Sequence, residues 1–342
     1  MENRTPPQYD VVIVGGGPAG LSAALMLGRS RRRVLVVDEG RPRNRFAGHM
    51  HGVLGRDHTS PLELLAEGRR ELGRYDGVEL REGSVVGAAP TPTPTATATA
   101  TATAETGTEP TGFRVELDDG ATVTARRLLV TSGLRDELPA VPGLAELWGR
   151  GVFVCPYCDG WEVRDGRIAV LAGEQPNPHQ AQLMRQLSDE VVFLTGGRPI
   201  DETTRSGLLA RGIRIEERPL ARVASDADGE LVALELADGE AVPVDALFVA
   251  PGPAPLDGLL RSLGAEHTEH PMGGSFVVVD AMGRTNVPGL WAAGNVTDPR
   301  SSVPFAMAGG NFTGAAMNAA LVEEEIAAAL AARERMEAWT SS

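Results

Sequence analysis

Cysteine is scarce in this sequence. Its only two cysteines, Cys155 and Cys158, stand two residues apart in the stretch CPYCDGW. With no second cysteine pair, a zinc site would need further ligands from scattered histidines such as His49, His51 and His179. A structural disulfide across so short a loop would constrain the unfolded chain very little. We therefore favour a redox pair, and a redox pair needs an electron partner.

The sequence also lacks long apolar runs and an excess of basic residues. No apolar run reaches the roughly 18 residues that a membrane span requires, and the first ten residues do not resemble a signal peptide. We therefore expect a cytoplasmic protein that is not embedded in a membrane. Forty-six acids against 32 bases leave a formal charge of -14, which disfavours nucleic acid and anionic lipid as partners.

The region of residues 10–40 predicts a nucleotide-binding turn. Two apolar runs, Val11–Val14 and Val34–Val37, flank a segment with helical spacing of leucines, which indicates strand, helix and strand. The turn between them fits the pattern G-x-G-x-x-G, and its candidate cofactor-binding residues are Gly15, Gly17, Pro18, Ala19 and Gly20. Asp38 closes the second strand, where a carboxylate can accept a hydrogen bond from a ribose hydroxyl. This pattern predicts a dinucleotide site without distinguishing NAD from FAD, and a plain structural turn is the alternative.

Residues 285–321 contain a second glycine-rich element near the end of the chain. They resemble the second flavin signature of the two-dinucleotide-binding flavoprotein disulfide reductases, in which a helix N-terminus points at the isoalloxazine. The resemblance assigns cofactor contacts to Gly294, Asn295 and Val303, with Asn295 standing where aspartate is commoner. An ordinary terminal helix with a glycine-rich entry is the alternative.

With a flavin signature at each end and CPYC between them, the whole chain resembles the low-molecular-weight thioredoxin reductase family. The resemblance implies an α/β fold with two Rossmann-like, three-layer ββα domains, FAD as cofactor, and a homodimer. It places the FAD domain in residues 1–149 and 251–342, and a nucleotide-type domain bearing the cysteines in residues 150–250. The low-complexity stretch at about 88–110 is expected to be a disordered insertion in a hairpin.

The middle domain lacks the residues that an NADPH site needs. After its first predicted strand the sequence reads Gly173-Glu174-Gln175-Pro176-Asn177-Pro178, so prolines and a carboxylate stand where phosphates should approach backbone amides. Only Arg198 follows the next strand. We therefore predict that NADPH binding is lost and that electrons enter from a dithiol substrate. They would pass through the cysteine pair to FAD and then to molecular oxygen, giving hydrogen peroxide.

The stretch CPYC-x-GWEVRD and the sequence HMHG at 49–52 are similar to thioredoxin-reductase-like dithiol oxidases that close disulfides in natural products such as holomycin and gliotoxin. The resemblance implies that Cys155 meets the substrate and Cys158 meets the flavin. Those oxidases carry histidine after the second cysteine, whereas this chain has Asp159, which we expect to shuttle protons with a raised pKa or else to cap a helix. Asn44 and His51 are predicted near the isoalloxazine, and no metal site is predicted.

Two other functions remain open at this point. One is a thioredoxin-disulfide reductase that draws electrons from NADPH through an atypical site, or from ferredoxin. The other is a flavin-binding regulator without turnover. The intact CPYC argues against the regulator, and the loop at residues 173–178 argues against NADPH.

Overall fold

The computed structural model describes residues 8–91, 112–173 and 178–340. The chain divides into two compact units. The terminal unit comprises Met1–Pro42, Leu62–Arg135 and Pro255–Ser342, and the middle unit comprises Arg43–Pro61 and Asp136–Ala254.

The terminal unit begins with a parallel sheet covered by helices. Its first elements are β1 (Gln8–Val14), α1 (Pro18–Arg29), β2 (Val34–Asp38), α2 (Pro61–Leu72), β3 (Val78–Glu82), β4 (Val85–Thr91), β5 (Gly112–Leu117) and β6 (Thr122–Val130). The strands follow the order β3-β2-β1-β6-β5-β4, with β1 parallel to both β2 and β6. The predicted strand-helix-strand around the glycine turn is therefore present.

The parallel strands of this unit bury side chains on both faces, because successive residues of a strand point to opposite sides. Val11 and Ile13 pack with residues of the helices, among them Leu27 and Met317. Val12 packs on the other side with residues of the antiparallel strands such as Phe113. This gives the three layers expected from the ββα arrangement.

The middle unit repeats that architecture. Its elements are β7 (Leu134–Glu137), β8 (Val152–Phe153), α3 (Pro156–Asp159), β9 (Ile168–Leu171), α4 (His179–Met184), β10 (Val191–Leu194), α5 (Glu202–Ala210), β11 (Arg214–Glu216), β12 (Leu220–Ser225), β13 (Leu231–Leu236), β14 (Ala241–Pro243), β15 (Ala246–Phe248) and β16 (Gly252–Pro255). A parallel sheet runs β11-β10-β9-β15-β8, and β12-β13-β14 form a separate antiparallel sheet. One face of the parallel sheet packs on residues of α4 and α5, and the other packs on the antiparallel sheet.

The last part of the chain completes the terminal unit. It contains α6 (Gly258–Ser262), β17 (His267–Glu269), β18 (Ser275–Val277), β19 (Leu290–Ala292) and the long helix α7 (Val303–Thr340). A side chain at Gly310 would stand 2.0 Å from the Ala19 carbonyl oxygen, and one at Gly314 would stand 2.8 Å from the Ala23 oxygen. These glycines let α7 approach α1 closely. Within the described ranges no helix is both long and apolar enough to cross a bilayer.

The compact units differ from the predicted domain boundaries at two long segments, residues 43–61 and 136–149, and also at residues 251–254. The segment around Phe46 lies against Gly149, where a side chain would stand 2.7 Å from the Phe46 carbonyl oxygen. Arg43 forms a 2.6 Å ion pair with Asp136. Leu144 and Leu147 belong to the core of the middle unit. Long-range packing that local sequence pattern does not reveal therefore moves both segments into that unit.

The predicted insertion at about 88–110 begins too early. Residues 88–91 belong to β4 and pair with β5 in register, from Ala88 opposite Val115 to Thr91 opposite Gly112. Backbone pairing to β5 orders this part although its side chains are small. Residues 92–110, the remainder of that prediction, lie outside the described residues.

Candidate active site

The turn after β1 has the steric requirements that its glycines predict. Gly15 has a φ of 102°, and a side chain there would stand 2.6 Å from the Thr131 carbonyl oxygen. A side chain at Gly20 would stand 1.9 Å from the Gly15 carbonyl oxygen, which explains the close approach of α1 to the strand. Around Gly17, by contrast, no heavy atom beyond the neighbouring backbone lies within 4 Å of the position a Cβ would take. That opening leaves room for a pyrophosphate against the backbone.

The N-terminus of α1 suits an anion. Gly17 is the N-cap and makes no side-chain capping bond, Pro18 stands in the first turn, and that turn contains no acidic residue. The first amides of a helix lack intrahelical acceptors and carry partial positive charge. Ala19 is buried and lies where α7 crosses α1. The turn can therefore hold the diphosphate of FAD.

Asp38 stands at the end of β2 beside this turn. Its Oδ1 accepts a 2.9 Å hydrogen bond from the Gly16 amide, and its Oδ2 pairs with Arg69. The carboxylate lines a cavity of about 410 Å³, whose lining comprises Gly16, Leu21, Val36, Asp38, Gly40, Arg69, Leu80, Arg81 and Glu82. A carboxylate fixed in this way suits a ribose hydroxyl. Arg69 was not predicted, because it lies on α2 far along the sequence from the glycine turn.

The second glycine-rich segment lies in the same terminal unit. Gly294 has a φ of 80°, and a side chain there would stand 2.9 Å from the Ala19 Cβ. The Asn295 side-chain amide donates to three carbonyl oxygens of its own loop, at 3.1 Å from Asp298, 3.3 Å from Pro299 and 3.0 Å from Ser301. An aspartate has no N–H to donate to these oxygens. Asn295 thus stabilises the loop that enters α7 at Val303, and its Oδ1 supplies an acceptor of the kind a ribityl hydroxyl requires.

Cys155 and Cys158 form a disulfide, with their Cα atoms 5.2 Å apart. Cys155 is the N-cap of α3, and the amides of Cys158 and Asp159 donate to its carbonyl oxygen at 3.0 and 3.2 Å. Because α3 has only four residues, its dipole is that of a single turn. It therefore adds little positive potential at Cys155.

Exposed aromatic rings flank this disulfide. Tyr157 is 80% exposed and Trp161 is 63% exposed. The Arg164 guanidinium lies 4.2 Å from the Trp161 ring centroid and donates a 2.7 Å bond to the Trp161 carbonyl oxygen. The segment that carries the cysteines therefore offers apolar contact surface, held in place by an arginine.

Asp159 has a perturbed carboxyl group. Burial and, to a smaller extent, the negative charge of Glu162 raise the pKa of Asp159 to about 6, while His51 acts in the opposite direction. A carboxyl group with such a pKa can exchange protons near neutral pH.

Three histidines gather in the segment of residues 49–59. His51 places Nδ1 3.4 Å from Asp57 Oδ1 and Nε2 3.3 Å from Glu162 Oε1. The rings of His49 and His58 stack with centroids 3.9 Å apart. Sequence reasoning missed His58 and Glu162, since only the folded segment brings them to His51. Asn44 and His51 both belong to the middle unit, and their predicted contact with FAD stays a prediction.

Arginines near the end of β10, where a second nucleotide site would lie, are paired with carboxylates in the middle unit. Residues 174–177, which carried the sequence argument, lie outside the described residues, and α4 beyond them has only six residues. Next to Thr195, at the end of β10, Arg205 pairs with Glu217. Arg218 pairs with Glu216 at 2.8 Å and with Asp238 at 2.9 Å. Sequence reasoning noted only Arg198, but these further arginines are neutralised by three carboxylates.

Comparison with known proteins agrees with this arrangement. The sequence model of the family described as pyridine nucleotide-disulphide oxidoreductase matches residues 9–320. The chain belongs to that family. It is therefore an oxidoreductase and a flavoprotein that binds FAD, and the described glycine turn and Asp38 fit that cofactor.

Members of the family with thioredoxin reductase names are similar to nearly the whole chain. Thioredoxin reductase tcpT of Claviceps purpurea (strain 20.1) is 32% identical over 89% of this chain and 92% of the relative. Thioredoxin reductase sirT of Leptosphaeria maculans is 31% identical over 94% and 97%. The crystal structure of HlmI is 38% identical with a TM-score of 0.87, covering 98% of this chain and 99% of that one. The predicted thioredoxin reductase-like α/β fold is confirmed.

Proposed function

We propose that this flavoprotein is a dithiol oxidase that closes a disulfide within a small-molecule dithiol and uses oxygen as the electron acceptor. The observation that carries the proposal is the charge at the second nucleotide position. Arg205 and Arg218 are paired with three carboxylates there, so these two guanidinium groups are already engaged. They are therefore less available to a 2′-phosphate, which favours electron entry through the cysteines.

The exchange steps follow from the chemistry of disulfides. A substrate thiolate attacks Sγ of Cys155, which breaks the bond to Cys158 and leaves Cys158 as thiolate. The second substrate thiolate then attacks the substrate sulfur of the mixed disulfide and releases Cys155. The substrate leaves as a disulfide, and the enzyme keeps two electrons in its cysteine pair.

The net reaction is one dithiol plus O2 giving one disulfide plus H2O2. FAD, when bound, supplies the two-electron carrier between the cysteines and oxygen. Asp159 receives a proton from an attacking thiol, since with a pKa of about 6 it is mostly ionised at pH 7. The exposed rings of Tyr157 and Trp161 provide contact for an apolar substrate of the natural-product type.

We further propose that the enzyme is a cytoplasmic homodimer. Along α7 the apolar side chains of Val322, Ile326 and Leu330 recur every four residues and are exposed, and Trp339 is 81% exposed. A stripe of this spacing suits packing against a second copy. Size-exclusion chromatography with light scattering would report twice the chain mass, and a monomer at micromolar concentration would contradict the dimer.

Oxygen consumption tests the proposed reaction. With dithiothreitol as substrate, the purified enzyme should consume one O2 and form one H2O2 for each dithiol oxidised. NADPH in place of the dithiol should give no oxygen consumption above background. Peroxide formation that persists unchanged in Cys155→Ser would mean that the cysteine pair is bypassed, and the proposal would fail.

A second candidate is a thioredoxin-disulfide reductase, supplied by NADPH or ferredoxin. The names of the relatives tcpT and sirT favour it. Reduction of an oxidised thioredoxin by this enzyme, driven by NADPH or reduced ferredoxin, would establish this function instead.

A further inference from the structure

A cluster of nitrogen and oxygen donors lies in the middle unit beside the segment that carries the cysteines. One ring nitrogen from each of His51 and His58 and one carboxylate oxygen of Glu162 lie within 4.8 Å of one another. His51 Nε2 is 3.3 Å from Glu162 Oε1. Two ligands of a tetrahedral metal, each at about 2.1 Å, stand roughly 3.4 Å apart. This spacing suits a single bound ion with a small adjustment of His58.

The carboxylate of Asp57 lies next to Nδ1 of His51, the ring nitrogen that does not face Glu162, and orients the ring. Its Nδ1 lies 3.4 Å from Asp57 Oδ1, and that oxygen accepts a 2.9 Å hydrogen bond from the Gly52 amide. A histidine that binds a metal through one ring nitrogen usually donates a hydrogen bond from the other ring N–H to a carboxylate or carbonyl oxygen. This bond fixes the tautomer and directs the first nitrogen towards the metal. Asp57 stands in that relation to His51, so Nε2 is the ligating nitrogen.

His58 is positioned by its backbone and by its neighbour. Its φ is 64°, a left-handed conformation that is uncommon outside glycine and often found at functional sites. Its amide donates a 3.0 Å bond to the Met50 carbonyl oxygen. The ring stacks on His49 with an interplanar angle of 9°. Two independent contacts therefore present this imidazole on the side of the segment where His51 stands, with 5.5 Å between their ring centroids.

We propose that His51, His58 and Glu162 bind one divalent transition-metal ion of the zinc class. Two imidazoles and one carboxylate suit zinc, cobalt or nickel, whereas calcium and magnesium prefer oxygen ligands throughout. Three protein ligands leave a fourth position for water or a thiolate. His58 and Glu162 are exposed, so an ion has direct access. The metal site does not depend on the oxidase proposal, although its ligands His51 and Glu162 also act on the pKa of Asp159.

Metal titration of the full chain in its disulfide form tests the site. Keeping Cys155 and Cys158 oxidised removes thiolates that would bind zinc on their own, and a Cys155→Ser/Cys158→Ser double variant provides the same safeguard. We expect saturable binding of one Zn²⁺ per chain by calorimetry. Co²⁺ should give the intense visible absorption of a tetrahedral site.

Variants of the cluster supply the decisive comparison. His58→Asn tolerates the left-handed backbone and so keeps the fold, and Glu162→Gln changes an exposed side chain. Each should weaken Zn²⁺ binding at least about tenfold, and Asp57→Asn should weaken it by roughly 10- to 100-fold through His51. His179→Gln, a histidine of the same unit outside the cluster, should bind Zn²⁺ like the wild type. Absence of saturable one-to-one binding, or unchanged affinity in both His58→Asn and Glu162→Gln, would overturn the proposal.

Discussion

The terminal and middle units share one topology and differ in the turn after their central strand. In the terminal unit β1 lies between β2 and β6, and in the middle unit β9 lies between β10 and β15 in the same manner. The first turn leads into a helix of 12 residues through an open glycine. In the second unit the corresponding helix has six residues and begins after Pro178. The two units thus have similar buried sheets, while the helix that follows the central strand differs in length.

A substitution in the glycine turn between β1 and α1 should have the largest effect on cofactor binding and activity. Gly17→Glu places a side chain and a negative charge in the open space against the α1 N-terminus, so most FAD should be lost, and all flavin-dependent turnover with it. Absorbance of the purified protein reports flavin content. Gly207→Glu, another glycine with open surroundings but in the middle unit, is the matched control and should keep full flavin content. Equal flavin in both variants would contradict the assignment of the turn.

Removing either cysteine tests the part of the reaction that we assign to the middle unit. Cys155→Ser and Cys158→Ser should each lower dithiol-dependent turnover by about 10³-fold or more, because no disulfide remains to accept electrons. The flavin content should stay at the wild-type value, since the cysteines belong to the middle unit. Stopped-flow absorbance measures the rate. A serine variant that retains a tenth of the wild-type rate would show that electrons take another route.

Changing Asp159 should have an intermediate effect with a characteristic pH profile. Asp159→Asn should lower kcat/KM for the dithiol about 100-fold at pH 7. We expect the wild type to have an acid limb near pH 6, where the carboxyl group titrates, and the variant to lack it. The assays should contain a chelator, so that metal binding does not shift the profile. An unchanged acid limb in the variant would assign it to another group.

Asp159→Asn should also change how the stability of the protein depends on pH. The pKa of Asp159 is raised from 3.8 to about 6 in the folded protein, so the folded state retains a proton that the unfolded state has released. The free energy of unfolding should therefore fall by about 1–3 kcal/mol as pH rises from about 4 to 6. Asp159→Asn should lack this fall, and urea unfolding at pH 5 and pH 8 measures the difference. A fall of equal or larger size in the variant would contradict burial of the Asp159 carboxyl as the cause.

We expect the smallest effect from a substitution near the end of β10, where a second nucleotide site would lie. Glu217→Gln removes the carboxylate that pairs with Arg205 and should raise NADPH affinity only slightly, by less than about tenfold. Fluorescence titration with NADPH provides the measurement. A gain of 100-fold or more would mean that this ion pair alone suppresses nucleotide binding.

The residue types that a local turn or strand end requires could be predicted from the sequence, whereas contacts between residues far apart in the chain could not. The glycines of the first turn and Asp38 stand out because a tight turn and an adjacent strand end dictate their types. The partner of Asp38, Arg69, comes from a different helix, and no spacing rule connects them. His58 and Glu162 lie far from each other in the chain, which is why the cluster around His51 emerged only from the fold. The membership of residues 43–61 in the middle unit has the same cause.

Anaerobic reduction of the bound flavin tests the central claim most directly. Two samples of the purified protein receive either dithiothreitol or NADPH, and the flavin absorbance is followed before and after admission of air. We predict that the dithiol alone bleaches the flavin, and that air restores the colour with formation of hydrogen peroxide. Bleaching by NADPH at a rate equal to or above that of the dithiol would contradict the account and establish a working nucleotide site in the middle unit.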